Sequence, residues 1–203
     1  MKPTVLSFAM WPQVPPFPPP DQPVLVRVAT SARRAVAREQ VREAARQILA
    51  TWRGGLSSSA HWHETPQGPV CADPLGGHPV AMSFSYSGAA GWIGLLRGGA
   101  IGVDAVRAGP FAELNAVAQL YLGSAAGDAI LVADDPPRAF ALAWTEREAA
   151  LKCRRRGLSE WQEERAAPEV CIRKHHVHWH DDTVVTVVTT PASARAHGPT
   201  KAR

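Results

Sequence analysis

The sequence predicts an α+β fold in which helices pack against small antiparallel sheets. Two segments carry apolar residues at helical spacings of three and four, and short apolar runs rich in β-branched residues lie around them. Glycine and proline mark the turns between these runs. The order of strand, helix and meander occurs twice in loose form, without an exact repeat. The 203 residues, 45% of them hydrophobic, can bury a core as one domain or as two small lobes.

The N-terminal residues 1–23 predict an extended arm. Prolines recur through this stretch, and proline is excluded from helix interiors and from central strands. The arm could tether itself along the protein surface or present a proline-rich recognition motif, and the tether is the simpler interpretation. Residues 24–29 follow as an apolar, β-branched run, which predicts the first strand of the sheet.

The first helix is predicted to begin after Thr30 or Ser31, either of which could cap it, and to end at Gly54 and Gly55. Five apolar residues at helical spacing predict its buried face: Ala37, Val41, Ala44, Ile48 and Trp52. Four arginines step by four along the same helix, interleaved with glutamates: Arg34, Arg38, Arg42 and Arg46. This stripe is typical of a solvated, salt-bridged face, and an anion-binding face is the alternative.

A meander of three short strands is predicted after a loop over residues 56–77, which holds short strands at most. The strands cover residues 80–85, 91–96 and 100–106, and the last two are joined by a tight turn at residues 97–99. A helix over residues 111–122 follows, with Pro110 before it and Gly123 after it, and a loop comes next.

The second half is predicted to end in a long helix and a hairpin. The helix runs from Pro137 to Arg155, and its buried side is marked by Phe140, Trp144 and Leu151. Two strands, at residues 169–179 and 183–190, turn at two aspartates. The predicted organisation is an arm (1–23), an N-terminal unit (24–99), a C-terminal unit (100–190) and a basic tail (191–203).

The chain is basic, with 22 Lys and Arg against 18 Asp and Glu, a net charge of +4 and a sequence pI near 9.3. This balance favours an anionic partner, which could be a nucleic acid, a phosphorylated small molecule or an acidic protein. Coding bias is an alternative source of the arginines. No nucleic-acid recognition motif is present in the sequence, so we do not expect a nucleic-acid partner.

The sequence indicates a soluble, cytoplasmic protein. It contains no apolar run of roughly 18 residues, which a membrane span needs, and no basic and apolar signal segment at its N-terminus. We therefore expect no membrane association. The three cysteines, Cys71, Cys153 and Cys171, are too scattered for a disulfide framework or a CxxC metal site, and we interpret them as ordinary thiols.

Asp104 lies on the strand predicted over residues 100–106. Side chains alternate between the two faces of a strand, so Asp104 points with Gly102 and Val106, while the apolar residues between them point into the core. A carboxylate is thus presented on one face of a strand. Taken alone, Asp104 is most simply a turn or strand-end residue.

Glu148 lies on the long helix, four residues after Trp144 and four before Lys152, so the three side chains share one face. Arg147 flanks that face. An acid between a tryptophan and a lysine on or near the packed side of a helix is unusual. Taken alone, Glu148 and Lys152 are most simply an i,i+4 ion pair.

Three segments in order resemble the signature of 4′-phosphopantetheinyl transferases of the compact two-lobed, surfactin-type class. They are Ser83-Phe84-Ser85-Tyr86-Ser87-Gly88, then Gly102-Val103-Asp104, then Trp144-Thr145-Glu146-Arg147-Glu148-Ala149-Ala150-Leu151-Lys152. The family shows a Ser-His-Ser-Gly segment, a Gly-Ile-Asp-x-Glu strand and a Trp-x-x-Lys-Glu-Ala-x-x-Lys helix at comparable separations. The resemblance covers about residues 80–161, and its helix motif is the most specific part.

The resemblance implies an enzyme that transfers the phosphopantetheine arm of coenzyme A to a serine of an acyl or peptidyl carrier protein, releasing 3′,5′-ADP. It implies two pseudo-symmetric lobes, each a helix on a small antiparallel sheet, with a ligand cleft between them, and we expect a monomer. By analogy Asp104 and Glu148 bind Mg²⁺, and both act in catalysis together with Lys152, which steadies the pyrophosphate. The residues implied to bind coenzyme A are Ser85, Tyr86, Ser87, Arg147, Lys152, Arg34 and Arg38.

The chain departs from the family pattern at several positions. Val106 stands where the family has a second acid, two residues after the aspartate, and it cannot bind metal. Tyr86 replaces the family's histidine, Arg147 replaces a lysine, and Pro69 follows Gly68 without the usual intervening lysine. An alternative function is therefore a catalytically degenerate member that binds a carrier protein or a nucleotide without turnover.

A histidine-rich segment, His175 to His180, offers a competing site. If it is a strand, His176, His178 and His180 line one face and could bind zinc or another borderline metal. The alternative is a solvated edge strand, because residues at alternate strand positions often splay too far apart for one ion. His61 and His63 form a similar but less specific pair.

Overall fold

The computed structural model describes residues 4–6, 8–54, 62–65, 68–71, 78–162, 172–178 and 182–191. Within these residues the strands are β1 (Thr4–Val5), β2 (Phe8–Met10), β3 (Val24–Ala29), β4 (Trp62–Thr65), β5 (Gly68–Cys71), β6 (Val80–Ser87), β7 (Ala90–Arg97), β8 (Gly99–Arg107), β9 (Arg173–His178) and β10 (Thr183–Pro191). The helices are α1 (Arg34–Trp52), α2 (Leu114–Leu122), α3 (Ser124–Leu131) and α4 (Pro136–Cys153). The predicted α+β class is confirmed.

The strands form two sheets. The first has the order β2-β3-β7-β6-β5-β4, and the second has the order β1-β9-β10-β8, so β8 is an edge strand. Two pairs of strands are parallel, β2 with β3 and β1 with β9, and each includes a strand from the N-terminal arm. The other neighbouring strands pair antiparallel. A turn at Gly98, whose φ is +66°, connects β7 of the first sheet directly to β8 of the second.

The hydrophobic core has separate clusters on either side of each sheet. One cluster lies between the sheets and includes Trp92 from β7, Val103 from β8 and Val187 from β10, all fully buried. The opposite face of the first sheet packs against α1. In the second sheet, β8 and β10 pack against α4, and α2 and α3 pack beside α4.

The proline-rich arm is held against the protein, as the tether interpretation predicts. Pro15 and Pro18 are buried, the indole N–H of Trp52 donates to the carbonyl of Pro15 at 2.8 Å, and Phe17 packs edge-on against the Trp52 ring at 5.4 Å. The guanidinium of Arg97 lies 4.4 Å from the Phe17 ring centre. Contacts with a helix and a strand thus fix the extended segment.

Helix α1 buries the five apolar residues predicted from its periodicity. It crosses β7 at Gly91, where a Cβ would come 2.1 Å from Cγ2 of Val41, so only glycine allows this approach. The predicted cap differs: the Ser31 hydroxyl accepts from the backbone N–H of Arg33, outside the helix. Arg46 forms the predicted surface ion pairs, at 3.1 Å to Glu39 and 3.0 Å to Glu43.

The largest differences between the observed elements and the sequence predictions concern α2, α3 and β9. Helix α2 begins three residues later than predicted, and the loop predicted after Gly123 is wrong, because residues 124–131 form helix α3. The interpretation of the histidine segment as an edge strand is also wrong, since β9 lies between β1 and β10. The tail after Pro191 and residues 163–171 and 179–181 lie outside the described residues.

None of the helices in the described part of the chain combines the length and the apolar character that crossing a membrane requires.

Candidate functional site

Asp104 lies on β8 with its side chain on the face that meets α4. It pairs with Thr186 of β10, and it is 7% exposed. Its neighbours in the strand, Val103 and Ala105, belong to the cluster between the sheets. The alternation predicted from the sequence is therefore confirmed, and the carboxylate is directed out of the inter-sheet core.

Helix α4 lies directly on β8 because residue 102 is a glycine. A Cβ at Gly102 would come 1.9 Å from the carbonyl oxygen of Ala149 and 2.5 Å from the backbone nitrogen of Cys153. The helix is also fixed to β10, where the hydroxyls of Thr145 and Thr186 lie 2.7 Å apart. This close approach brings the residues next to Ala149 on α4 against the strand that carries Asp104.

Lys152 reaches from α4 to β8 and forms an ion pair with Asp104. Its Nζ donates to Oδ1 of Asp104 at 2.7 Å and to the backbone carbonyl of Val103 at 3.0 Å. The Asp104 side chain is 11% exposed and that of Lys152 is 31% exposed. The i,i+4 pair that the sequence suggested for Lys152 is thus replaced by a pair across two elements.

Glu148 lies one turn before Lys152 and is partly buried. Its pKa is raised above its ordinary value, first by burial and then by the negative charge of Asp104. The positive charges of Lys152 and Arg147 act in the opposite direction and only partly offset this. Electrostatic repulsion therefore acts between these two acids, which are distant in the sequence, at the seam between α4 and β8.

Ser85 of β6 also contacts the Asp104 side chain. Its hydroxyl donates to Oδ1 at 3.0 Å and accepts from the backbone N–H of Ala105 at 3.0 Å. Two positions earlier, the hydroxyl of Ser83 accepts from the backbone N–H of Val103 at 2.9 Å. The two serines thus bind the open edge of β8, whose other edge pairs with β10.

Tyr86 lies on the opposite face of β6 from Ser85. It packs against the cluster between the first sheet and α1, so these two residues of the same motif point to different layers. Ser87 pairs with Ala90 at the end of the β6–β7 hairpin. The structure therefore does not bring Tyr86 to Asp104, although the resemblance groups it with Ser85.

Arg147 is directed toward the segment that follows α4. Its guanidinium donates to the carbonyl of Ser159 at 2.9 Å and lies 5.1 Å from the centre of the Trp161 ring. The backbone N–H of Trp161 in turn donates to the carbonyl of Leu120 on α2. In this structure Arg147 fixes that segment, and its charge still acts on Glu148.

Arg34 and Arg38 are exposed on the first turns of α1, whose buried face packs on β3 and β7. They do not take part in the contacts around Asp104. Trp144, which heads the helix motif, stacks on Phe140 at 5.5 Å and meets Tyr121 edge-on at 5.7 Å. It anchors α4 to α2.

Val106 shares the Asp104 face of β8 and pairs with Val184, so the departure from the family pattern falls beside the site. His175 is buried in β9, and the side chains of His176 and His178 lie outside the described residues, as do His61 and His180. Among the side chains that the structure describes, no three His, Cys, Asp or Glu residues gather where they could hold a metal ion.

Sequence reasoning missed Ser83 and assigned Ser85 to the nucleotide. The alternation of β6 contained the signal, since Ser83 and Ser85 fall on the face opposite Phe84 and Tyr86, which pack toward α1. When one face of a buried strand is apolar and the opposite face carries hydroxyls, those hydroxyls are expected to form hydrogen bonds with backbone groups.

The sequence matches no protein-family model and no curated protein. Within the chain, the three segments that resemble the transferase signature converge. Ser85 of the first segment and Lys152 of the third both contact Asp104 of the second.

Proposed function

We propose that this protein is a 4′-phosphopantetheinyl transferase that modifies a serine of an acyl or peptidyl carrier protein and releases 3′,5′-ADP from coenzyme A. The observation that supports this most is the convergence of Asp104, Glu148 and Lys152 at the seam between β8 and α4. Asp104 belongs to one motif and Glu148 and Lys152 belong to another, and the resemblance assigns both motifs to one site.

The donor atoms at the seam fit a magnesium ion. Mg²⁺ prefers oxygen ligands and keeps several waters, so one or two carboxylates together with phosphate oxygens are sufficient to hold it. Asp104 and Glu148 supply carboxylates whose mutual repulsion contributes to the raised pKa of Glu148, and a divalent cation would relieve that repulsion. When bound, the ion would neutralise charge on the pyrophosphate.

The chain's own residues have distinct roles in this proposal. The serine hydroxyl of the carrier attacks the phosphorus that bears the pantetheine arm, and the bridging phosphorus–oxygen bond breaks to release 3′,5′-ADP. Glu148 accepts the serine proton, and its raised pKa suits a general base better than an ordinary glutamate. Lys152 supplies a positive charge beside the pyrophosphate.

The coenzyme A site is proposed between two lobes, α1 with the first sheet and α4 with the second. Both helices cross a strand at a glycine, Gly91 in β7 and Gly102 in β8, which supports a pseudo-symmetric pair. Arg34, Arg38, Tyr86 and Ser87 remain the proposed contacts for the nucleotide on the first lobe. A protein of this kind would act as a monomer in the cytoplasm.

Incubation with coenzyme A, Mg²⁺ and a panel of apo-carrier proteins, read by intact mass, tests the proposal. We expect the mass of one carrier protein to increase by one phosphopantetheine arm. Chelation of the metal should prevent this modification. Asp104→Ala and Glu148→Ala should each reduce the rate by about 10²-fold or more. Glu160→Ala, at an exposed acid after α4, is the matched control and should retain activity. Full activity in either site variant would contradict the mechanism.

A second candidate is a non-catalytic binding protein, which Val106 favours because an apolar side chain lies where the family places a metal ligand. Such a protein would bind coenzyme A or a carrier, measured by calorimetry, without any change in carrier mass at saturating Mg²⁺. Introducing the missing acid with Val106→Glu would then be expected to create or increase turnover.

A further inference from the structure

Ser83 and Ser85 make the same backbone contact on β8 but differ in one respect. Each hydroxyl accepts from an edge N–H, that of Val103 or that of Ala105, at 2.9 and 3.0 Å. Both serines are buried, at 6% and 4% exposure. Only the Ser85 hydroxyl also donates its proton, and it donates to Oδ1 of Asp104.

Among the described residues, the side-chain hydrogen bonds and the ion pair of Asp104 fall on one of its two carboxylate oxygens. Oδ1 receives the Ser85 hydroxyl at 3.0 Å and the Lys152 ammonium at 2.7 Å. No side chain in the described part of the chain donates to Oδ2. Within the part of the chain that the structure describes, the protein therefore holds Asp104 by Oδ1 and supplies no side-chain donor to Oδ2.

We infer that Ser85 is a positioning residue that holds the Asp104 carboxylate by Oδ1 and so presents Oδ2 toward the seam with α4. The effect of Ser85 on catalysis rests on the proposed function. The coupling between Ser85 and Asp104 can be measured whether or not the protein has that function. This positioning role differs from the role implied by the family resemblance, which places Ser85 on the nucleotide.

The hydroxyl can do this because its own orientation is fixed. The N–H of Ala105 occupies a lone pair of Oγ, so the proton is left to point at the carboxylate. Lys152 alone would not hold the carboxylate in this way, since an ammonium on a flexible stem with three donors imposes little direction. A hydroxyl on a buried strand imposes more.

A double-mutant cycle on the free energy of unfolding tests the coupling in the metal-free protein. Ser85→Ala and Asp104→Ala should be coupled by about tenfold in the unfolding equilibrium constant, because the bond joins a hydroxyl to a charged group. Ser83→Ala and Asp104→Ala should be coupled by less than about twofold. If Asp104→Ala does not fold, Asp104→Leu, which has a similar size and also lacks an acceptor for the Ser85 hydroxyl, replaces it. Equal coupling for the two serines would overturn the inference, whatever the protein's activity.

Steady-state kinetics of carrier modification then separate positioning from nucleotide binding. We expect Ser85→Ala to lower kcat about tenfold and to raise the Mg²⁺ concentration for half-maximal rate, with the KM for coenzyme A unchanged. Ser83→Ala, which removes only a backbone cap, should retain kcat and the Mg²⁺ requirement, and Ser85→Thr should restore most of the loss.

A raised KM for coenzyme A with unchanged kcat in Ser85→Ala would place Ser85 on the nucleotide and overturn the inference. Absence of carrier modification by the unaltered protein would count against the proposed function alone, and the unfolding cycle would still decide the role of Ser85.

Discussion

At the residue scale, Glu148 has an environment that disfavours its charge. Burial and the neighbouring carboxylate of Asp104 raise its pKa, while Lys152 and Arg147 offset this only in part. Because the folded protein holds the proton more tightly than the unfolded chain, the folded state binds more protons between the two pKa values. The contribution of Glu148 to stability is therefore greatest below the pKa of the unfolded chain. It is lost as the pH rises from that pKa through the raised pKa of the folded protein.

We predict that Glu148→Gln stabilises the protein at neutral pH while removing activity. The amide carries no charge, so the cost of burying a carboxylate beside Asp104 disappears. The gain should be on the order of 1 kcal/mol or less, since solvent screens a partly buried group. Urea unfolding at pH 5 and pH 8 measures it, and the difference between variant and unaltered protein should be larger at pH 8.

Glu160→Gln is the control, because Glu160 is exposed beyond the end of α4. It should leave the pH dependence of unfolding as in the unaltered protein. A Glu148→Gln protein that loses stability at pH 8 would show that the carboxylate makes a favourable contact there, contrary to the environment described.

Local periodicity predicted the parts of the site that depend on one element at a time. Alternation along β8 predicted the face of Asp104, and the four-residue spacing on α4 placed Glu148 with Lys152. The contact of Ser85 with Asp104 could not be predicted in this way, because it depends on how β6 of one sheet lies along the edge of β8 in the other.

At the element scale, Gly102 determines how closely α4 approaches β8. We predict that Gly102→Ala destabilises the protein by about 2–4 kcal/mol, because its Cβ would lie 1.9 Å from the carbonyl of Ala149, a backbone atom that must move. Gly109→Ala is the control, since nothing lies within 4 Å of its Cβ. Urea unfolding measures both. An unchanged midpoint for Gly102→Ala would show that α4 lies farther from the strand.

The helices also show where sequence patterns fail at this scale. Helix α4 has strong signals: the Asp135 side chain accepts from the N–H of Arg138, and two prolines occupy the first turn. Helix α3 has weak ones, since Gly127 and Asp128 lower its propensity. It is stabilised by packing on α2, where the Gly127 Cα faces Gln119 closely. A pattern that is local in sequence does not contain that contact.

At the scale of the whole molecule, residues far apart in sequence join the two sheets. The arm contributes β2 to the first sheet and β1 to the second, and β1 pairs with β9 near the opposite end of the chain. That pairing makes β9 an interior strand, which explains why the histidine segment was wrongly interpreted as an edge. No periodicity within residues 169–179 could have shown a partner at residues 4–5.

Because one hydrophobic cluster contains residues from both sheets, we predict a single cooperative unfolding transition for the whole molecule. Trp92 of the first sheet is 0% exposed and packs with Val103 and Val187 of the second, so neither sheet can unfold without exposing the other's apolar face. Far-UV circular dichroism and tryptophan fluorescence should give the same urea midpoint.

Trp92→Leu should lower both midpoints together, with a loss of about 2–4 kcal/mol in the free energy of unfolding. Trp161→Leu is the control and should change the midpoints much less, because Trp161 is an exposed tryptophan beyond α4. Two separate midpoints would mean that the sheets unfold independently and that the inter-sheet contacts, including those of Ser83 and Ser85, add little to stability.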